Sequence, residues 1–151
     1  MSRQRKNKSI VLIILQFFLA LGAFGGGSIF IIDPTGALAG MSQDLLEGSI
    51  FPSYLIPGLI LIGILGILPV ITALGLMKKW DWQWPESLNI YQDKHWSWTF
   101  SLYIGFALII WITVQVFIIK TLAILHFIYI ILGLIIQMIT LLPTVQRKYM
   151  K

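Results

Sequence analysis

The sequence contains no cysteine and few charged residues, and these two absences exclude several classes of protein. Without cysteine the chain can form no disulfide, no thiolate nucleophile, no iron–sulfur cluster and no zinc site built on thiolates. Quinone-linked thiol oxidoreductases, which are small four-helix membrane proteins, are excluded because their reaction needs a cysteine pair. Charged residues make up only 11% of the 151 residues, which is too few to cover the surface of a water-soluble domain.

Apolar residues, by contrast, make up 58% of the chain and give it a mean hydropathy of +0.87. A transmembrane helix needs about 20 mostly apolar residues to cross a hydrocarbon core roughly 30 Å thick. Four segments are long enough, at about residues 9–32, 55–77, 99–119 and 122–142. The sequence therefore predicts a single all-α membrane domain, residues 1–151, that folds as a bundle of four transmembrane helices.

The basic residues are distributed unevenly around these segments, and their distribution predicts an orientation. Ten of the eleven lysines and arginines lie in the N-terminal tail, in the loop at 78–98 or in the C-terminal tail, and only Lys120 lies on the other side. The positive-inside rule then places both termini and this loop in the cytoplasm. The excess charge favours anionic lipid headgroups as partners. We expect no nucleic-acid partner, because the sequence indicates no folded basic surface.

The first segment has a second interpretation. Residues 1–23 resemble a secretory signal peptide, with a basic start, an apolar stretch and small residues at its end. Apolar residues resume at 29–32, however, so the whole run has the length of a complete span. We favour a retained first helix over a cleaved signal.

The loop at 33–54 is predicted to form a structured cap on the outer side. It opens with Asp33-Pro34-Thr35-Gly36, which is typical of a type I turn. Ser42 is expected to cap a short helix that Gly48 ends. With three acidic residues and no basic one, the loop is interpreted as solvated, and cation binding is the weaker alternative.

The inner loop is rich in tryptophan, with five of the six tryptophans of the chain between residues 80 and 98. Tryptophan favours the headgroup zone of a bilayer, so this loop is expected to lie against the inner leaflet. The alternative is a docking surface for a partner protein or an amphiphilic ligand, because tryptophan is frequent at binding hot spots. The candidate interface residues in this loop are Trp80, Trp82 and Trp84.

Few polar side chains lie inside the predicted spans. Counted from the turn at Lys120, Gln115 and His126 have nearly the same depth on the third and fourth helices, and we expect a hydrogen bond between them or a shared ligand. Gln16 and Gln137 are both expected in the inner third, where they can pair if the first and fourth helices touch. The second histidine lies on the opposite side of the membrane from His126, so no haem or other cofactor is predicted, and no metal.

Two further features affect helix packing. Gly22 and Gly26 are four residues apart, as are Ala23 and Gly27, and such small faces let another helix approach closely. That helix belongs either to the same chain or to a second copy. Pro69 lies well inside the second span, where it removes one backbone hydrogen bond and is expected to kink the helix, which can open a cavity.

Four stretches of the chain resemble a group of small bacterial membrane proteins with four spans. They are Gly-Gly-Gly-Ser-Ile-Phe-Ile-Ile-Asp-Pro-Thr-Gly (25–36), Tyr-Leu-Ile-Pro-Gly-Leu-Ile-Leu (54–61), His-Trp-Ser-Trp-Thr (95–99) and Trp-Ile-Thr-Val-Gln-Val (111–116). The group has no established activity, so the resemblance implies a bacterial source and a topology. It implies no site residue.

These observations favour a non-enzymatic membrane component that acts through its helices or loops, as an accessory subunit or a homo-oligomer. Paired carboxylates, a catalytic triad and a phosphate-binding loop are all absent from the sequence. The alternative is a binder or transporter of an apolar or amphiphilic molecule, with a cavity near Pro69, Gln115 and His126. A membrane-embedded enzyme is the least favoured hypothesis.

Overall fold

The computed structural model describes residues 2–151, with side chains from Lys8 onward. Four long helices account for most of the chain, and each is long and apolar enough to cross a membrane. The prediction of an all-helical chain with four such helices is thereby confirmed. We name them α1 (Ser2–Ile32), α2 (Leu55–Lys78), α3 (Trp96–Ile119) and α4 (Ile124–Leu141).

The four helices form a ring in which each packs on its two neighbours in the chain, and α4 closes the ring against α1. The end of the bundle where α1 begins is called the inner end, and the opposite end is called the outer end. The main hydrophobic core runs along the bundle, with at least two buried residues each from α1 and α2 and several from α3, and a smaller cluster of Phe30, Leu46 and Tyr54 lies at the outer end. The best-buried members of the main core include Leu12, Leu19, Leu65, Leu76, Ile104, Leu108 and Ile136.

Glycines set the two closest helix crossings. A Cβ atom added to Gly27 of α1 would lie 2.8 Å from the carbonyl oxygen of Gly58 of α2, so these backbones touch. Gly105 of α3 and Gly133 of α4 make an equivalent contact. A Cβ atom added to either glycine would lie 3.2 Å from the carbonyl oxygen of the other. Close contact between backbones is the usual reason for small residues at helix interfaces in membranes.

Pro69 is accommodated by a change of helix type. The turns that precede it, Leu61–Ile67, are π-helical, and the N–H of Leu68 donates to the carbonyl oxygen of Gly63, five residues back. Proline clashes with the carbonyl four residues before it in an α-helix. The wider π-turns separate these groups, and α2 continues to Lys78.

The outer loop folds over the outer end of the bundle. As predicted, Ser42 is an N-cap, and its hydroxyl accepts the N–H of Asp44 at 3.2 Å, but the element it starts is a short 3-10 helix (Gln43–Leu46). Asp33 organises the turn at the start of the loop by accepting the Thr35 hydroxyl and the N–H of Leu38. These hydrogen bonds, first of all the one from Thr35, lower the pKa of the Asp33 carboxyl. The Asp33 carboxylate is therefore engaged in hydrogen bonds within its own turn.

The inner end is closed by residues from distant parts of the chain. After α4 comes a short helix, α5 (Pro143–Lys148), and then Tyr149, which is fully buried. The Tyr149 hydroxyl donates to the carbonyl oxygen of Leu76 at 3.0 Å and lies 2.5 Å from the Ser9 hydroxyl. Burial raises the pKa of this phenol. The Tyr149 hydroxyl thus ties α1 and α2 together at the inner end, and both end segments of the described chain lie there.

Candidate functional site

A partly open cavity of about 520 Å³ lies between the four helices in the outer half of the bundle. Its deeper part is lined by aliphatic side chains and small residues of α1, α2 and α3, among them Leu19, Ala23, Leu65 and Leu108. Residues of the outer loop and of the α3–α4 turn surround its outer part. The helices form this space because α1 presents small residues where a large side chain would fill it.

The polar side chains of the cavity come from α3 and α4. Gln115 of α3 lies a little more than one turn before the outer end of that helix, and His126 lies in the first turn of α4. Both line the cavity, and Tyr129, one turn further along α4, lines it too. The prediction that Gln115 and His126 share a depth and surround one space agrees with this geometry.

The expected hydrogen bond between Gln115 and His126 is not formed. The ring Nδ1 atom of His126 instead accepts the backbone N–H of Ala123 at 3.0 Å. The backbone N–H of His126 in turn donates to the carbonyl oxygen of Ala123. His126 therefore caps its own helix, and a local backbone partner replaces the interhelical one. Its Nε2 atom has no partner among the described residues.

Pro69 itself does not line the cavity. The π-helical segment before it contributes Leu61 and Leu65 to the lining, and Pro69 is buried about one turn further inward. The cavity therefore lies beside this segment of α2, and residues of all four helices line it.

Comparison with protein-family models, curated proteins and solved structures found no match. The resemblance to small bacterial four-span proteins therefore stays a prediction, and the site has to be interpreted from its own geometry.

The glycines of α1 are used inside the bundle. Gly22 faces Tyr129, and a Cβ atom there would lie 2.2 Å from the Tyr129 hydroxyl oxygen. Gly26 lines the cavity, and a Cβ atom there would approach only Leu61, at 3.9 Å. The neighbouring Gly25 is exposed, and a Cβ atom there would meet nothing within 4 Å. The sequence left open whether these small residues contact a helix of the same chain or of a second copy. In the structure, Gly22 and Gly27 contact helices of the same chain.

Gln16 and Gln137 lie in the inner half, below the cavity. Gln16 is fully buried, and neither polar atom of its amide has a hydrogen-bond partner among the described residues. The Nε2 atom of Gln137 is also unpartnered, and its Cγ atom packs against Gly105. The predicted Gln16–Gln137 hydrogen bond is therefore not formed in this conformation.

The inner-loop tryptophans pack on one another. The rings of Trp80 and Trp82 contact each other and the buried ring of Trp96, with centroids about 6 Å apart, and Trp84 packs against Trp82 in a tilted arrangement with centroids 6.2 Å apart. Of these four rings, Trp82 and Trp84 are the most exposed, with 38% and 60% of their surface accessible. The loop is thus a packed aromatic cluster with an exposed edge.

His95 connects this cluster to α3. Its Nε2 atom donates to the carbonyl oxygen of Trp80 at 3.1 Å, and its Nδ1 atom accepts the N–H of Ser97 as an N-cap. The pKa of His95 is lowered, mainly by burial and also by nearby Lys79. The Trp80 carbonyl, Glu86 and Asp81 act in the other direction and raise it, but they do not outweigh burial. The imidazole is held neutral by its surroundings.

Sequence reasoning missed two residues of the site. Tyr129 lies three residues after His126, and this spacing on a helix places both on one face, so the pattern was visible. Trp111 lines the cavity on α3, and its indole N–H is buried without a partner. It was overlooked because a tryptophan inside an apolar run has no distinctive spacing.

Proposed function

We propose that this protein is a multi-pass protein of the bacterial cytoplasmic membrane that binds an apolar or amphiphilic small molecule. The observation that carries the proposal is the cavity between the four helices. Its volume of about 520 Å³ falls in the range of small-molecule sites, which are mostly apolar with a few polar groups. Fifteen of its twenty lining residues are aliphatic, methionine, glycine or phenylalanine, and five carry a polar group: Trp111, Gln115, Thr121, His126 and Tyr129.

A binding role is favoured over catalysis by the chemistry of the lining. In the described part of the chain neither a carboxylate nor a lysine or arginine lines the cavity, and the imidazole of His126 uses Nδ1 to cap its own helix. General acid–base catalysis needs a proton acceptor within reach of the substrate. The lining offers hydrogen bonds for recognition instead.

The orientation proposed is the one predicted from the basic residues, with both termini cytoplasmic. The inner end gathers the beginning of α1, the tryptophan loop and the residues after α4, which are the segments that carry ten of the eleven lysines and arginines. This distribution supports an inner end at the cytoplasmic leaflet, in contact with anionic headgroups.

The proposal is tested with a photoreactive alkyl diazirine that has no polar end. Gly26→Leu adds a side chain in the cavity lining, whereas Gly25→Leu places the same side chain in open space on the same helix. In the purified protein, we expect crosslinks to map to the cavity residues in wild type and in Gly25→Leu. We expect Gly26→Leu to lose most of them.

Equal labelling of the two variants, or no labelling of cavity residues in wild type, would contradict the proposal. Circular dichroism checks that both variants keep their helices. Native mass spectrometry of the same samples counts the bound probes and the number of chains in each particle.

A second candidate function is the one first expected, an accessory subunit or homo-oligomer that acts through its surfaces. The observation that favours it is the exposed edge of the tryptophan cluster, where Trp82 and Trp84 are accessible, and Leu88 and Ile90 of the same loop are exposed as well. It is placed second because Gly22 and Gly27 already contact helices of the same chain. A single chain per particle in the mass spectrum counts against the homo-oligomer.

A further inference from the structure

We infer that the molecule held in the cavity has an uncharged polar end with a carbonyl oxygen, as in a ketone, an ester or a quinone. We further infer that this end lies at the outer side of the cavity and the apolar part points inward. The inference rests on the proposed function and specifies its ligand class.

The lining itself argues against a charged end. Among the residues with described side chains no Asp, Glu, Lys or Arg lines the cavity, so a carboxylate, a phosphate or an ammonium would find no counter-charge from them. Burying an unpaired charge costs far more free energy than burying an uncharged polar group. A neutral polar end avoids this cost.

The tautomer of His126 makes it a hydrogen-bond donor toward a ligand. Its Nδ1 atom accepts the N–H of Ala123 at 3.0 Å, so Nδ1 carries no proton. In a neutral imidazole the other nitrogen then carries the proton. The Nε2–H group has no partner among the described residues, and His126 lines the cavity.

Two more donors line the same cavity as His126. The amide of Gln115 comes from α3, and the hydroxyl of Tyr129 comes from the same face of α4 as His126, and both residues line the cavity. Neither side chain has a hydrogen-bond partner within the described part of the chain. A carbonyl oxygen has two lone pairs and can accept from two of these three donors at once.

The position of the donors defines the direction of the ligand. Gln115 and His126 lie near the ends of α3 and α4 that meet at the outer turn, whereas the deeper lining, Leu19, Leu65 and Leu108, is aliphatic. Lipid tails are as apolar as this lining, so apolar contact alone gives little preference over the bilayer. Preference for one ligand must come from the polar end.

The test is a competition series against the apolar photoprobe. The competitors share one alkyl chain and end in a methyl ketone, a carboxylate, an ammonium or a plain methyl group, at a pH where the acid is ionised and the amine protonated. We expect the ketone to compete about tenfold better than the hydrocarbon, which corresponds to one net hydrogen bond. We expect both charged chains to compete less well than the ketone.

Two variants assign the preference to the donors. Gln115→Leu removes one donor, and His126→Asn can still accept the N–H of Ala123 but does not reach as far as Nε2–H. We expect each to reduce the advantage of the ketone severalfold and to leave competition by the hydrocarbon unchanged. His126→Gln, which extends an amide toward the position of Nε2, should recover part of the advantage.

The outcomes separate this inference from the function on which it rests. If the photoprobe labels the cavity but the hydrocarbon or the carboxylate competes as well as the ketone, the ligand class is overturned and the binding function stands. The same holds if both variants keep the full preference for the ketone. If the photoprobe does not label the cavity of the wild-type protein, the binding function itself fails.

Discussion

At the scale of single residues, the two histidines of this chain have similar local roles at opposite ends of the bundle. Each uses Nδ1 to accept a backbone N–H at the start of a helix, His95 for α3 and His126 for α4. They differ in the second nitrogen, because Nε2 of His95 donates to Trp80 whereas Nε2 of His126 has no partner among the described residues. One ring is therefore fully bonded, and the other is available.

The bonding of His95 predicts a dependence of stability on pH. Its pKa is lowered in the folded state, mainly by burial, so the unfolded chain binds the proton more readily. Stability is then fully present above the ordinary histidine pKa of 6.5 and is lost as pH falls below it. We expect thermal denaturation in detergent to show this loss between about pH 5 and that value, above the range in which carboxylates titrate.

The test variant is His95→Asn. Asparagine is a good N-cap without a titrating group, so His95→Asn should flatten the pH profile in this window. An unchanged slope in His95→Asn would show that another group causes the acid-side loss.

At the scale of the helices, the contact between α1 and α4 at the mouth of the cavity depends on Gly22. A Cβ atom there would lie 2.2 Å from the Tyr129 hydroxyl oxygen but 3.3 Å from the ring carbon that bears it. Gly22→Ala should therefore destabilise the protein by about 1–3 kcal/mol through overpacking. Tyr129→Phe in the same chain should restore much of that loss, because it removes the clashing atom.

Detergent-unfolding curves of the single and double variants measure this coupling. Gly25→Ala is the control, since an added Cβ atom meets nothing within 4 Å there. Additive effects of the two substitutions would show that Gly22 and Tyr129 do not contact each other.

The helices themselves were predictable from the sequence, but their contacts were only partly so. Runs of apolar residues separated by charged loops give the number and position of the spans, because a bilayer fixes the length of a helix. Of the two glycines Gly22 and Gly26, only Gly22 is in close contact with another helix, whereas Gly26 lines the cavity. The Gly105–Gly133 crossing was missed, because each helix contributes a single glycine and their pairing exists only in three dimensions.

The candidate site, too, was predictable only in part. The shared depth of Gln115 and His126 followed from counting residues away from a tight turn. The bond expected between them did not form, since a backbone N–H of the same turn is a closer partner for His126. Pro69 was expected to disturb α2, but the π-helical segment Leu61–Ile67 that accommodates it has no distinctive sequence pattern.

At the scale of the whole molecule, the natural absence of cysteine makes the proposed orientation easy to test. Single cysteines are introduced at exposed positions, Gln43 in the outer loop, Gln83 in the inner loop and Met150 near the C-terminus. In intact bacterial cells we expect a membrane-impermeant maleimide to label Gln43→Cys only. Gln83→Cys and Met150→Cys should react after the cells are permeabilised.

The reverse pattern would contradict the orientation and with it the position of the cavity in the outer leaflet. Labelling of all three positions in intact cells would contradict a spanning topology. The chain with no cysteine serves as the background control.

The buried Tyr149 also has a consequence for the order in which the protein assembles. Its hydroxyl bonds Ser9, which precedes it by 140 residues, and the carbonyl of Leu76. A ribosome must therefore make nearly all of this sequence before the inner end can close, while α1 and α2 are already available to pair at Gly27 and Gly58. Packing of the bundle would then begin at the outer crossing of α1 and α2 and finish at the inner end.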